Sequence, residues 1–187
     1  MKKIVDFLYE VGFLKKLKRS GFAFLGSGEE SVADHTCRTL FIAYVLAQMT
    51  EGVDVGRLLK MCLFHDLPET RTGDLNYVNK MYVTPDERKL LGELAVRLPF
   101  GEEVASLIME FESRSTLEAR IANDADQLDL ILHVKEQQDA GNPRVGPWLE
   151  HAYQRLETDP ARRLACIAMD TDSTDWWLLE HEEPKKV

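Results

Sequence analysis

The chain has 187 residues, 44% of them hydrophobic and 29% charged, enough apolar content to bury a core and too much for a disordered chain. Its 23 basic and 32 acidic residues leave a net charge of −9, which disfavours a general nucleic-acid binder because phosphate backbones would be repelled. The cysteines Cys37, Cys62 and Cys166 are odd in number, widely spaced and without a CxxC pair, so a reducing cytoplasm is expected rather than a disulfide framework or zinc ribbon.

The longest uncharged run, Thr39 to Thr50, falls well short of the roughly 20 residues a membrane span needs, so no membrane segment is expected. Lys2 and Lys3 look like the start of a signal peptide, but Asp6 and Glu10 interrupt the apolar stretch that should follow. The start therefore reads as an amphipathic helix over 2–17, with Ile4, Val5, Leu8, Phe13 and Leu14 at helical spacing, and the chain reads as mature throughout. A loop of small residues follows from Ser20 to Gly28. Ser31 is placed to cap a second helix running to about Met49, closed by Gly52. A third runs from about Val55 to His65 and must stop near Pro68, whose ring would clash with the preceding turn.

Residues 70–83 read as irregular. Thr84-Pro85-Asp86-Glu87 then combines a cap, a first-turn proline and a capping-box glutamate, opening a helix that ends near Pro99. Another covers about 102–112. Ser115-Thr116-Leu117-Glu118 offers a second capping box for a long helix that Gly141-Asn142-Pro143 terminates. Two more fill 147–157 and 160–170, the latter with Asp159 as cap and Pro160 in its first turn. The acidic tail from Asp172 carries Trp176 and Trp177, which are expected to fold back onto the core. With no alternating strand and no repeat, the fold class is all-α. One domain is expected, its core spanning about 15–140, with the helices of 147–180 packing on it.

The informative feature is His65-Asp66 at the end of the third helix. Leu58, Leu59 and Cys62 give that helix an apolar face, so both side chains can point inward. Adjacent helical residues diverge by about 100°, so one metal ion can use both only where the helix is ending, as Pro68 dictates. His35 sits near the start of the second helix, on a face continued by Thr39, Ile42 and Leu46. The long helix offers Asp124, Asp126 and Asp129. Two imidazoles and two carboxylates from three helices make a mixed nitrogen and oxygen site. That set suits manganese, iron, cobalt or nickel with positions left open, ahead of zinc or magnesium. Periodicity about Ile121 favours Asp124 or Asp129 as the inward carboxylate.

The pattern His35…His65-Asp66…Asp126 resembles the metal-dependent phosphohydrolases of the HD superfamily, and within it the small 5'-deoxynucleotidase group. Glu30-Ser31-Val32-Ala33-Asp34-His35 is similar to that group's ESVSDH segment. His65-Asp66-Leu67-Pro68-Glu69 with Gly73-Asp74 is similar to HDxxE…GD, and Ala125-Asp126-Gln127-Leu128-Asp129 to A-D-x-L-E. Lys18-Arg19-Ser20-Gly21-Phe22 resembles a basic-then-aromatic substrate loop usually written R-T-G-W. The likeness covers about 15–140.

The resemblance implies a helical HD-domain bundle and release of phosphate from (deoxy)ribonucleoside 5'-monophosphates by a homodimer. It implies His35, His65, Asp66 and Asp126 as metal ligands, preferring Asp126 where periodicity does not. Glu69 would be the acid/base group acting on water, with Asp74 supporting it, while Arg19 and Phe22 hold the nucleotide. Phe22 stands where the group has tryptophan and loses an indole donor, and Asp129 is one methylene shorter than the group's glutamate.

These residue types suit the reaction. A divalent ion makes water a nucleophile near neutral pH, a carboxylate can take its proton, and an arginine can clamp a phosphate bidentately. In so acidic a chain the run Lys15, Lys16, Lys18, Arg19 is the best candidate to meet an anion. Arg38, Arg71 and Lys80 are weaker ones, and Thr72 and Asn76 could add hydrogen bonds. His133 could support the site from a distance. His151 and His181 read as surface residues, and the methionines and tryptophans as packing. One competing reading is an HD phosphohydrolase acting on another phosphorylated metabolite. The other is a non-catalytic metal- or nucleotide-binding regulator, which would have no need of Glu69 and Asp74.

Overall fold

In the computed structural model, which describes residues 1–178, side-chain caps open α-helices at Ser31, Asp54, Asn76, Asp86 and Thr116. In chain order the helices are α1 (Lys2–Phe13), α2 (Phe22–Leu25), α3 (Val32–Gln48), α4 (Val55–Phe64), α5 (Glu69–Thr72) and α6 (Tyr77–Lys80). They continue with α7 (Glu87–Arg97), α8 (Gly101–Ser113), α9 (Leu117–Asp139), α10 (Gly146–Gln154), α11 (Asp159–Asp170) and α12 (Asp175–Leu178). No strand forms among the described residues, and the all-α expectation holds. Ser31 and Asp34 exchange hydrogen bonds at the start of α3, a full capping box worth about 1 kcal/mol. Asp54 caps α4 by accepting from the Arg57 N–H at 3.0 Å.

Several boundaries depart from expectation for identifiable reasons. α1 stops at Phe13 rather than 17, because the chain must extend to bridge Lys18 to Ser31. That bridge, with Arg19 N–H donating to the Glu30 carbonyl at 2.9 Å, lays the 17–20 loop against the start of α3. The 70–83 stretch holds two single-turn helices. Asp86 and Thr116, not Thr84 and Ser115, cap α7 and α9, and Thr158 stands at the N-cap of α11 instead of Asp159. Trp176 and Trp177 do not fold back: they are 77% and 60% exposed on α12. His181 lies outside the described residues.

α9 is the axis of the fold. It packs against α3, α4, α8, α10 and α11, so its buried residues lie all round the helix rather than on one stripe. A helix enclosed on several sides has no single inward face for periodicity to find. Ile121, Leu128, Ile131 and Val134 centre the larger core on it. A second cluster joins Phe7 and Leu67 to the α7–α8 hairpin through Leu94, Leu98 and Ile108, with Phe64 packed against both cores. At the α7–α8 corner a side chain on Gly101 would sit 2.0 Å from the Leu94 carbonyl oxygen, so that approach requires glycine.

Candidate metal centre and adjoining cleft

Three helices deliver the site. α3 carries His35 in its first turns, α4 ends at Phe64 so that His65 and Asp66 occupy the following turn, and α9 presents Asp126 at mid-length. His35 Nε2 lies 3.2 Å from His65 Nε2, 3.2 Å from Asp126 Oδ1 and 3.5 Å from Asp66 Oδ2. His65 Nε2 is 3.2 Å from the same Asp66 oxygen. Ligands about 2.1 Å from one ion stand roughly 3.0 Å apart in an octahedral arrangement and 3.4 Å in a tetrahedral one, so this spacing fits a shared cation.

Hydrogen bonds on the far side of each ring fix its tautomer. Asp129 Oδ2 accepts from His35 Nδ1 at 2.5 Å, and the Cys62 carbonyl accepts from His65 Nδ1 at 2.8 Å. A carbonyl can only accept, so His65 Nδ1 carries a proton and its Nε2 lone pair faces the cluster; at His35 Nδ1 the nearer partner is the accepting Asp129 carboxylate, ahead of the donor Arg19 Nη1 at 2.7 Å, which favours the same tautomer. With both rings neutral, as metal binding requires, four acceptors converge with no donor of their own, a set that a cation satisfies. Asp129 is held in turn by Arg38, whose Nε donates to its Oδ1 at 2.5 Å, and by Arg19 Nη1 at 3.3 Å.

The local field is strongly negative. Burial and the Arg19 guanidinium push the His35 imidazole down, but the carboxylates of Asp126 and Asp129 outweigh them and hold it at about 10. Burial raises Asp126, yet His35, His65 and Arg19 together hold it well below the usual carboxylate range. Without a metal ion, His35 therefore keeps a second proton that a divalent cation would displace.

Glu69, in the first turn of α5, sits beside this cluster. Burial, and then the negative charges of Asp66 and Asp74, push its carboxyl up to about 9, and its Oε2 is buried with no hydrogen-bond partner. Without a metal ion, burial and these neighbours favour its protonated form. Asp74 is engaged elsewhere: its carboxylate accepts from the Ser20 N–H and its carbonyl from Ser20 Oγ at 3.0 Å, while Asn76 Nδ2 donates to Ser20 Oγ at 3.3 Å. These bonds seat the loop carrying Arg19. Arg19 Nη1 serves Glu30 and Asp129, and Nη2 is left 4.0 Å from Asp126 Oδ1.

A cavity of about 540 Å³ opens from this point, bounded by Arg19, Asp74 and Asn76 on the cluster side and by Phe22, Tyr77 and α10 elsewhere. Its size lies within the range of small-molecule sites. Phe22 is 4% exposed and stacked on His133, with ring centroids 4.1 Å apart. His133 supports the loop a second time through Nδ1, 3.3 Å from Glu30 Oε1.

The HD domain family profile matches residues 11–167. The chain is a member of the HD domain family. This HD protein is 28% identical over 168 residues to the 5'-deoxynucleotidase HDDC2 of Danio rerio, covering 87% of this chain and 75% of the relative. Its identity to the Dictyostelium discoideum 5'-deoxynucleotidase HDDC2 is 30% over 150 residues, with 73% and 78% covered. Among solved structures, a conserved hypothetical protein of Pyrococcus furiosus superposes with a TM-score of 0.76 at 29% identity, covering 89% of this chain and 99% of that one. A predicted metal-dependent phosphohydrolase of Magnetospirillum magnetotacticum gives 0.71 at 27%, with 90% of each chain covered. The fold is that of the HD metal-dependent phosphohydrolases.

Within this HD domain, His35, His65, Asp66, Glu69, Asp126, Arg19 and Asp74 come together, and Phe22 lines the cavity from beneath. Asp124 and Asp129, favoured by periodicity, are both buried, but Asp124 accepts from the Glu157 and Thr158 N–H groups and so holds the turn that leads into α11. Arg38 is locked between Asp129 and Glu136, and Arg71 between Glu10 and Glu93, so neither is free for an anion. Lys18 pairs with Glu29 at 2.7 Å, and Thr72 Oγ donates to backbone carbonyls. Sequence reasoning missed Trp148 and Arg155, while His151 is exposed as expected. All three line the cavity, and only the i, i+3, i+7 spacing on α10 hinted at a shared face.

Proposed function

We propose that this protein is a divalent-metal-dependent phosphohydrolase releasing phosphate from deoxyribonucleoside 5'-monophosphates. The observation that carries it is the convergence of His35, His65, Asp66 and Asp126, with His35 Nε2 3.2–3.5 Å from a ligating atom of each of the others, beside the buried Glu69 and next to Arg19, which lines the cavity. The names of the Danio and Dictyostelium relatives support the substrate class. His35, His65, Asp66 and Asp126 would hold the ion, with Asp129 and the Cys62 carbonyl orienting the imidazoles. Manganese, iron, cobalt or nickel suits the set better than zinc or magnesium, since two imidazoles join two carboxylates. When bound, such an ion lowers the pKa of water toward neutrality and offsets phosphoryl charge.

The protein's own groups do the rest. Arg19 lines the cavity with its Nη2 4.0 Å from Asp126, and Glu30 and Asp129 hold its guanidinium in place to meet an entering phosphate. Glu69 would give its proton to the departing 5'-oxygen, and the carboxylate so formed would take up the proton released by the attacking water. Asp74 acts by seating Ser20 and so Arg19. The free thiols of Cys37, Cys62 and Cys166 support a reducing cytoplasm, and no described helix is long and apolar enough to cross a membrane. The outward face of α3, with Phe41 71% exposed beside Tyr44 and Val45, supports a homodimer.

The test is phosphate release by chelator-stripped protein. Activity on deoxynucleoside monophosphates should return with manganese or cobalt. Absence of turnover with every divalent ion would sink the reading and leave a binding-only regulator.

A further inference from the structure

The loop aromatic that resemblance assigned to the nucleotide is poorly placed to stack on it. Phe22 is almost wholly buried and one face of its ring is covered by His133. The same cavity has a second aromatic wall. Trp148, partly buried on α10, packs close enough to the 19–22 loop that a side chain on Gly21 would meet its ring at 3.4 Å. Arg155, one residue past the end of α10, lies on the same wall seven positions on. Its Nη1 donates to Gln127 Oε1 at 3.5 Å, and Gln127 Nε2 donates to Asp126 Oδ2 at 2.9 Å. One end of the wall therefore adjoins the cluster and the other adjoins the substrate loop. Seven helical residues separate the two by roughly 10 Å, the reach from a 5'-phosphate across the sugar to its base.

We propose that this face of α10 is the nucleotide wall, with Trp148 the stacking platform for the nucleobase and Arg155 a second cation for the phosphate, opposite Arg19. The assignment rests on the nucleotidase reading above. An indole face accepts any base, so the wall confers preference for a nucleotide over a bare sugar phosphate rather than for one base. Arg155 supplies positive charge where the chain is otherwise acidic, and Gln127 holds its guanidinium beside the ligand Asp126.

The experiment compares kcat/KM for deoxyadenosine 5'-monophosphate with that for deoxyribose 5-phosphate, which has no base, in the manganese-loaded full chain. In Trp148→Ala and in the bulkier Trp148→Leu the nucleotide-to-sugar-phosphate ratio should fall roughly tenfold or more, through KM. Trp148→Phe should restore most of it. Arg155→Gln should instead lower both substrates in parallel and leave the ratio within about twofold. Turnover of the sugar phosphate reports folding in the Trp148 variants, and the melting temperature does so for Arg155→Gln. A ratio unmoved in both Trp148→Ala and Trp148→Leu overturns the wall while leaving the nucleotidase reading intact. A wild-type protein that hydrolyses neither compound overturns both.

Discussion

Two clusters of charge behave as opposites. Around Glu10, the Arg71 and Arg97 guanidinium groups meet two carboxylates, with Arg71 Nε 2.6 Å from Glu10 and Nη1 2.5 Å from Glu93. Positive and negative charges balance, and the network straps α1 and α5 to α7. Around His35, the acceptors of Asp66, Asp126 and two imidazoles face one another, and the nearest arginine is committed to Glu30 and Asp129. Charge left unbalanced at close quarters is costly unless an ion completes it, so the first cluster reads as structure and the second as a site.

The largest effect that would sharpen this contrast is at Glu69. Glu69→Gln keeps the shape and removes the exchangeable proton, so turnover should fall by about 10²–10⁴-fold with metal content retained. Full activity in that variant, read by phosphate release, would break the assignment. His65→Ala should lose the ion outright, as elemental analysis would record. Asp129→Ala should keep the ion but weaken its binding by about 10–100-fold, since His35 loses the partner that fixes its tautomer.

The clusters should also respond differently to pH. The metal-free His35 is held at about 10 against an ordinary value of 6.5, so the stability it contributes is fully present below about 6.5 and lost as pH rises toward 10. The melting temperature of stripped protein should therefore fall over that interval, and less so with the ion bound. Glu10 is raised by burial but lowered further by Arg71 and Arg97, for a net depression. Its contribution is present above about 4.5 and lost as pH falls below that value. Smallest of all, Arg71→Ala should cost about 1 kcal/mol by denaturant titration, because the pair is partly exposed, with kcat/KM unchanged.

Helix positions were legible wherever a local cap acts, as at Ser31 and Asp54, because capping involves neighbours three residues apart. The ligand set was legible only by likeness to a family pattern. Periodicity failed on α9 because five helices surround it, so Asp124, Asp126 and Asp129 all turn inward toward different partners. Arg38 and Arg71 looked available for an anion because their carboxylate partners are remote in sequence: Asp129 and Glu136 for one, Glu10 and Glu93 for the other.

By itself, then, the sequence determined the helical class, the ends of its longer helices and the residue types of a nitrogen–oxygen metal centre, since those depend on composition and short-range spacing. Only the tertiary structure decided which carboxylate meets His35 Nε2 and which orients its Nδ1. It also decided that Asp74 serves the Arg19 loop and that Trp148 and Arg155 share a wall with the cluster. Those outcomes depend on how α3, α4, α9 and α10 cross, and contacts between residues as far apart as 19 and 129 have no local signature.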